Sequence, residues 1–361
     1  MIALSAFSDA HWARIARDWN AWWAGELKRP LIVLETYDHR PGVDWETFDD
    51  FITQFPLGTP PDQVLDHMAK RLEVTRYHGD AFPKYWVNLG AGVVAAFLGA
   101  GVEHGLRTTW FHPLTIDMLA DLRPEYDPNN PWWQWTQAIT RAAVARWGRQ
   151  VLVAHTDLGG NLDILASLRG TQTLLTDLYD TPDDVERLTR AITPLWLRYY
   201  DELLAIIQPA GRGTACWGPC WAPEPTYMLQ CDFAYMIGPE MFKRYVMPDL
   251  RACCEHLAYP FYHLDGKGQL RHLDKLLSIP ELRGIQWQPG DGQPMADHWL
   301  ELLHRIRASG KLCQVYVTRQ GAFTITRALG GRGFLFHIRE PGLTAQEADD
   351  FMRAYWRGYS A

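Results

Sequence analysis

The sequence lacks the excess of basic residues with which nucleic-acid-binding proteins contact phosphate backbones. Its 361 residues carry a formal net charge of −7, so nucleic acid is not an expected partner. It also lacks an apolar run long enough to span a bilayer, and its first 19 residues become charged too early for a secretory signal. We therefore expect a cytoplasmic protein that does not enter the membrane.

Glycine motifs for nucleotide binding are missing as well. No GxGxxG stands at the first strand-to-helix turn and no GxxxxGK[ST] occurs, so no phosphate cradle is predicted. The six cysteines form no regular framework, and a chain of this length does not need disulfides, which predicts reduced thiols. Cys216 and Cys220 lack the second cysteine pair of a zinc ribbon, and this argues against a structural zinc site there.

Tryptophan, by contrast, is abundant, with 17 in the chain. Because a buried indole N–H needs a hydrogen-bond acceptor, some of these rings are expected to line a cavity for a flat or amphipathic ligand. Packing between helices and a sheet is the alternative, and it is favoured for Trp132, Trp133 and Trp135.

Short apolar runs alternate with helical runs from residue 150 onward. Strands are predicted at 150–156, 213–217, 260–264, 284–288, 311–317 and 333–338, after an amphipathic helix in residues 1–28 and a strand at 30–36. This alternation predicts an α/β fold with a parallel sheet, namely a single TIM (β/α)8 barrel domain over residues 1–361 that includes an N-terminal helical extension over residues 1–30. A doubly wound open sheet is the alternative.

The strongest functional signal is the run YPFYHLDGKGQ, in which an apolar strand ends in His263 and Asp265. Alternate residues of a strand share a face, so both side chains are expected to enter one cavity at the carboxyl end of the barrel. A histidine beside a carboxylate can move a proton or hold a metal ion. A buried histidine with a purely structural hydrogen bond is the alternative.

Further polar side chains follow other predicted strands. Asp157 is a catalytic candidate after the run VLVAHT, and Asp232 is a candidate substrate or metal contact, with a helix cap as the alternative. Additional candidates for substrate binding lie at or near predicted strand ends and comprise Trp86, Asn88, Trp217, Gln286, Trp287 and Glu340. His337, Arg339 and Glu340 compete for the cavity, because a shift of one residue in register exchanges the faces of a strand.

The stretch CDFAYMIGPEMFKRYVMPDL, with Asp232, and the turn Tyr262-His263-Leu264-Asp265-Gly266 resemble the uroporphyrinogen decarboxylase-like superfamily. The resemblance extends from about residue 150 to the end of the chain, and it implies a (β/α)8 barrel. The superfamily includes porphyrinogen decarboxylases and corrinoid-dependent methyltransferases. The N-terminal arginine-rich signature of the decarboxylases is not found here, so the methyltransferase branch is the closer match.

In the thiol-methylating branch, a His-x-Cys turn and a later cysteine hold zinc. Here the matching turn has Asp265 in place of the first cysteine, and His337 stands near the position of the later one. The resemblance therefore implies a metal site of His263, Asp265 and His337, harder than the thiolate zinc site and suited to zinc or another divalent metal.

Two classes of enzyme are expected, the first implied by the resemblance and the second by the residues themselves. The first is a corrinoid-dependent-type methyltransferase that acts on a small methylated substrate, with cobalamin or a corrinoid protein as the methyl partner. The second is a glycoside hydrolase that uses the carboxylates at the strand ends in a tryptophan-rich cleft. A small-ligand binder without catalysis is a third possibility, and the sequence leaves a homodimer open.

Overall fold

The computed structural model describes residues 1–38, 51–105 and 108–358. The chain forms a mixed α/β fold with a central, largely parallel sheet. The strands are β1 Ile2–Ala3, β2 Leu31–Tyr37, β3 Thr75–Gly79, β4 Lys84–Trp86, β5 Gly101–His104, β6 Thr109–His112, β7 Leu152–Ala154, β8 Thr214–Ala215, β9 Trp221–Ala222, β10 Thr226–Leu229, β11 Tyr259–Asp265, β12 Gly284–Gln288, β13 Leu312–Val317 and β14 Phe334–Ile338.

The α-helices are α1 Asp9–Trp23, α2 Pro61–Val74, α3 Val94–Phe97, α4 Pro131–Trp147, α5 Asn161–Arg169, α6 Thr171–Asp180, α7 Pro182–Ile207, α8 Pro239–Met241, α9 Met247–His256, α10 Leu273–Leu277, α11 Leu300–Ala308, α12 Arg319–Leu329 and α13 Ala345–Arg357. A π-helical segment, Phe242–Val246, connects α8 to α9. Short 3-10 helices include Asp232–Met236 and Lys267–His272. No helix of the described residues combines the length and apolar character of a bilayer span.

The largest sheet has the strand order β1-β3-β2-β14-β13-β12-β11-β10. All neighbours from β10 to β2 are parallel, whereas β3 pairs antiparallel with β2 and with β1. Residues of the parallel strands are largely apolar and buried on both faces, as expected where helices cover a sheet. The carboxyl ends of these strands therefore meet at one edge, where the predicted site residues lie.

The strands predicted from residue 150 onward are confirmed, with bounds that differ from the predicted ones by a few residues, whereas the parallel strand β10 and the short β9 were not predicted. β12 has the predicted bounds, while β7 and β8 are shorter than expected. The predicted helix over residues 1–28 is α1, and the predicted strand at 30–36 is β2. The antiparallel β3 was not predicted: it directly follows α2, and the sequence predicts a helix over residues 61–76 that includes the first two residues of β3.

Three tryptophans of α1 fix this helix to strand ends through their indole N–H groups. Trp22 donates to the carbonyl of Phe334 at 3.0 Å, at the first residue of β14, and Trp23 donates to the carbonyl of Trp221 at 2.8 Å. Trp19 donates to the carbonyl of Asp80 at 3.2 Å. Helix α1 thus covers the amino end of β14. The polar residues lie at the opposite, carboxyl edge of the sheet.

Candidate active site

Three side chains of the types that can bind a metal ion form a cluster at the carboxyl ends of β10 and β11. Ligand atoms of Asp232, His263 and Asp265 all lie within 4.8 Å of one another. His263 and Asp265 are alternate residues of β11, and Asp232 opens the 3-10 helix Asp232–Met236 that follows β10. Nε2 of His263 is 4.0 Å from Oδ2 of Asp265. The predicted pair therefore faces one space, and Asp232 joins it.

Residues of β12 and β13 orient the imidazole of His263. Its Nδ1 atom is hydrogen-bonded to Oε1 of Gln286, and Nε2 of Gln286 donates to the hydroxyl of Tyr316 at 3.3 Å. Because a carbonyl oxygen only accepts, Nδ1 donates in this hydrogen bond, and in the neutral ring Nε2 then keeps its lone pair. Trp217 contacts the ring edge-on, with centroids 5.2 Å apart. The lone pair of Nε2 is thus available to a cation beside the two carboxylates.

Asp232 is positioned by Asp163, a half-buried residue in the first turn of α5. The two carboxylate oxygens of Asp163 accept the backbone N–H groups of Asp232 and Phe233 at 3.0 and 2.8 Å. Burial, and then the negative charge of Asp232, raise the pKa of Asp163 to about 8. Asp163 therefore caps the 3-10 helix that carries Asp232, rather than the helix in which it lies.

The donor set of the cluster fits a divalent cation. Carboxylates are hard ligands, and a neutral imidazole is a ligand of intermediate softness. The set therefore suits zinc, manganese or iron better than it suits soft metals. Asp265 is half-buried, and desolvation raises its pKa. The hydrogen bond from His263 to Gln286 is the kind of outer contact that orients metal-binding histidines.

Two cavities open at this edge of the sheet and share Tyr316 and Arg339. The first, which we call the cluster cavity, has a volume of about 590 Å³ and contains His263, Asp265 and Asp291 in its wall. The second, which we call the aromatic cavity, has a volume of about 470 Å³ and is lined by Tyr37, Phe51, Trp86, Trp217 and Tyr316, together with charged side chains. Both volumes are typical of small-molecule sites.

Four of the predicted substrate contacts line the aromatic cavity, namely Trp86, Asn88, Trp217 and Glu340. Glu340 is already bound to Arg319, through the backbone N–H at 2.7 Å and through Nε at 2.5 Å. Gln286 is fully buried and contacts His263. The tryptophans that were expected to line a cavity are therefore represented by Trp86 and Trp217, while Trp133 is buried in the core.

Two predictions of the site are wrong. Trp287 is fully buried and packs against Trp299, with ring centroids 5.2 Å apart, because it lies on the opposite face of β12 from Gln286. His337 does not belong to the cluster of ligand atoms and instead lines the aromatic cavity, at a register position paired with Tyr316. The third member of the cluster is Asp232, which had been predicted as a substrate or metal contact.

The catalytic candidate Asp157 lies beneath the surface and lines none of the three cavities described here. Its Oδ1 accepts the N–H of Gly159 at 3.0 Å and Nε2 of Gln230 at 3.2 Å, and the N–H of Gly92 is 3.4 Å away. Burial raises its pKa to about 7. The hydrogen bonds of Asp157 therefore link three loops. A third cavity, of about 280 Å³, is lined by Asp163, Gln230 and Asp232, and Asp157 is not part of its wall.

No protein-family model matches the chain, and no curated protein matches it. Among solved structures, the chain is similar to a methyltransferase from Methanosarcina mazei, with a TM-score of 0.60 and 12% sequence identity. The likeness covers 96% of this chain and 99% of the other chain. At this identity it shows a shared fold along nearly the whole length of both proteins.

Lys84, which the sequence analysis did not select, positions part of the aromatic cavity wall. Its ammonium group donates to the carbonyls of Cys216, Trp217 and Gly218 at 2.9, 3.0 and 2.6 Å, and burial lowers its pKa to about 8. This fixes the turn after β8 and, with it, the ring of Trp217. The sequence signal was weak: a single lysine in the run FPKYW, at the start of a three-residue strand.

Proposed function

We propose that the protein is a methyltransferase of the uroporphyrinogen decarboxylase-like superfamily that holds a divalent metal at Asp232, His263 and Asp265. The observation that carries the proposal is the orientation of His263, whose Nε2 lone pair faces two carboxylates because Gln286 holds its Nδ1. The likeness to a solved methyltransferase over 96% of the chain supports the same assignment. We infer a small methylated molecule as substrate.

The metal would act as a Lewis acid that polarises a substrate group and lowers its pKa. The residues of the chain neutralise the charge of the cation and orient its ligands. Asp232 and Asp265 supply negative charge that offsets the charge of the cation, and Gln286 keeps His263 in one tautomer and one orientation. Asp265 stands where the thiol-methylating enzymes have a cysteine, so the site would favour a harder metal than theirs.

A corrinoid is the proposed methyl partner. A corrin macrocycle with its axial ligands is larger than either cavity, whose volumes are about 590 and 470 Å³. It would therefore approach the carboxyl edge of the sheet from outside, as free cobalamin or on a corrinoid protein. The small substrate would occupy the space beneath it, beside the cluster.

The same proposal includes one closed (β/α)8 barrel domain over the chain. Its support is a set of bonds between strands outside the largest sheet. β4 and β7 pair in parallel, and the N–H of His155, just after β7, donates to the carbonyl of Ala215 in β8 at 3.0 Å. Buried apolar residues from Leu4 to Tyr355 form one cluster.

A glycoside hydrolase is the second candidate, and the two clustered carboxylates favour it. Retaining glycosidases place two carboxyl groups about 5 to 5.5 Å apart, and ligand atoms of Asp232 and Asp265 lie within 4.8 Å. The raised pKa of Asp265 suits a general acid. In this case the half-buried rings of Trp86 and Trp217 would stack on sugar.

The test has two parts. Elemental analysis of protein purified without chelator compares the wild type with Asp232→Ala, His263→Ala and Asp265→Ala; Asp291→Ala, in the same cavity but outside the cluster, is the matched control. We expect near-stoichiometric divalent metal in the wild type and control and its loss in the other three. The second part follows formation of methylcob(III)alamin from cob(I)alamin by absorbance, with a panel of methylated amines, alcohols and thioethers.

Metal-dependent methylation of cobalamin by one of these donors would establish the activity. Metal-free protein that stays folded in all variants would contradict the metal site. If such a protein also cleaved aryl glycosides, and lost that activity in Asp232→Ala and Asp265→Ala, the glycoside hydrolase would replace the methyltransferase.

A further inference from the structure

The wall of the cluster cavity extends across four neighbouring parallel strands, from β11 to β14. Asp265 of β11 is a register partner of Gln288 of β12, and both line the cavity. Tyr316 of β13 and Arg339, which follows the last residue of β14, form the far side of this wall. Neighbouring strands lie roughly 4.8 Å apart, so β11 and β13 are separated by roughly 10 Å across the sheet. A molecule in this cavity can therefore contact the cluster with one end and the far side of the wall with the other.

The two ends of the cavity carry opposite charges. The carboxylates in its wall are Asp265 and Asp291. Asp291 lies close to the β11 end, because the N–H of Gly266 donates to the carbonyl of Gln288 at 2.7 Å and holds the two following loops together. Arg339 supplies the opposite charge at the far end, and its side chain is exposed. The acidic end thus suits a metal ion, and the far end suits an anion.

Arg339 is oriented without being neutralised. Its guanidinium lies over the ring of Tyr316, 5.1 Å from the centroid, and no carboxylate in the described part of the chain forms an ion pair with it. A guanidinium stacked in this way keeps its N–H edges for a planar acceptor such as a carboxylate. Because the side chain is exposed at the cavity wall, a ligand can reach these edges.

The hydroxyl group of Tyr316 supplies a second donor beside Arg339. Its oxygen accepts Nε2 of Gln286 at 3.3 Å, which leaves the hydroxyl hydrogen without an acceptor among the residues that the structure describes. Burial raises the pKa of this phenol, so it keeps its proton at neutral pH. The ring is half-buried, lines both cavities and packs against His337, with centroids 5.1 Å apart. Tyr316 can therefore donate to a ligand from a fixed position.

We propose that the substrate of the cluster cavity carries a carboxylate at the end remote from the metal, and that Tyr316 and Arg339 determine this specificity by donating hydrogen bonds to it. The reacting group of the substrate would meet the metal at Asp232, His263 and Asp265. That the bound molecule is the methyl-bearing substrate rests on the proposed function. The binding of the carboxylate itself does not, because neither donor belongs to the cluster.

Isothermal titration with ω-methoxybutyrate, ω-methoxybutyramide and ω-methoxybutylamine tests this specificity. The three probes share a methyl ether and differ in the charge of the other end. We expect saturable binding of the carboxylate. The amide and the amine should bind about tenfold more weakly or less tightly still, because hydrogen bonds to a charged acceptor are the stronger ones.

Tyr316→Phe and Arg339→Gln should each weaken binding of the carboxylate by about tenfold or more, and binding of the amide by less. Tyr179→Phe and Arg332→Gln change exposed residues of the same types outside the three cavities and are the matched controls. Both should bind the carboxylate like the wild type. Equal weakening of all three probes in Tyr316→Phe, together with a reduced metal content, would mean that Tyr316 acts only by holding Gln286, and it would overturn the proposal.

The double variant Asp232→Asn/Asp265→Asn separates this proposal from the metal site. We expect it to keep the preference for the carboxylate over the amide, whether or not the wild type binds metal. Loss of that preference in the double variant and its retention in Tyr316→Phe and Arg339→Gln would show that the carboxylate binds the metal instead, and the proposal would be wrong. Absence of carboxylate binding to the wild type, or tighter binding of the amine, would overturn it as well. Circular dichroism of each variant establishes that the protein is folded.

Discussion

His263 and Gln286 are direct register partners in the parallel pairing of β11 and β12, and Nδ1 of His263 is hydrogen-bonded to Oε1 of Gln286. Side chains at paired positions of neighbouring strands share a face of the sheet. The strand register therefore sets which nitrogen of the imidazole is free, and it turns that nitrogen toward Asp232 and Asp265.

Replacing Gln286 with leucine should weaken metal binding. Leucine has a similar size but cannot accept a hydrogen bond from Nδ1, so His263 loses the contact that fixes its tautomer and orientation. Loss of such an outer contact typically costs about 10- to 100-fold in metal affinity. Competition with a chelating indicator measures the change. Gln314→Leu, at the register position beside Gln286 on β13, is the control and should bind metal like the wild type.

Gln314→Leu should make the protein more stable or leave its stability unchanged. Both side-chain polar atoms of Gln314 are buried and have no partner among the described residues. Leucine of similar shape removes a desolvation cost of about 1 to 3 kcal/mol. Urea unfolding measures the free energy difference. A loss of more than about 1 kcal/mol would show that Gln314 makes hydrogen bonds in solution, for example to ordered water.

Asp157 should make stability depend on pH. Burial raises its pKa to about 7 in the folded protein, above the value of about 3.9 for an unfolded aspartate. Between these values the unfolded chain has lost a proton that the folded chain keeps, so this residue lowers stability as pH rises from about 4 to about 7. Below that range it has no such effect, and above it the loss is complete.

The variant Asp157→Asn tests this pH dependence, because its amide oxygen can still accept the N–H groups of Gly159 and Gly92. We expect its free energy of unfolding to rise relative to the wild type from pH 4 to pH 7, by an amount on the order of a few kcal/mol, and then to level off. Urea titrations at intervals of half a pH unit give this curve. A constant difference across the range would contradict the raised pKa.

Gly160→Ala should disturb the segment that carries Asp232. A Cβ atom at Gly160 would lie 2.1 Å from the carbonyl oxygen of Gln230 and 3.0 Å from Oδ2 of Asp163. Relief of the overlap requires a shift of the backbone, at a cost of about 1 to 3 kcal/mol, and displaces the contacts that hold Asp232. Unfolding by urea and metal titration report the two effects.

Gly238→Ala is the matched control for Gly160→Ala. An added Cβ there meets no atom within 4 Å, and its φ of −80° suits any residue. We expect wild-type stability and metal affinity. Equal effects of the two substitutions would mean that flexibility of the glycine backbone, rather than the close approach to Gln230, matters at both positions.

The sequence alone predicted the parallel part of the fold well. Apolar runs bounded by turns predicted the strands β7, β8 and β11 to β14, because a strand covered on both faces must be apolar throughout. The short strands β9 and β10 were not predicted. The pairing of His263 with Asp265 also followed from the sequence, since the alternation of side chains along a strand is local. The antiparallel β3 was not predicted, because it follows α2 without a break and its first two residues continue the helical pattern.

Only the tertiary structure decided the membership of the site. Asp232 lies 31 positions before His263 in the chain, and it joins the cluster because Asp163 caps its 3-10 helix. Trp287 and His337 were misassigned because the register between strands, which sets the face and the depth of each side chain, depends on packing across the whole sheet. Lys84 contacts the turn after β8 more than 130 positions away. Local patterns determine which segments become strands; contacts between distant segments determine which side chains meet.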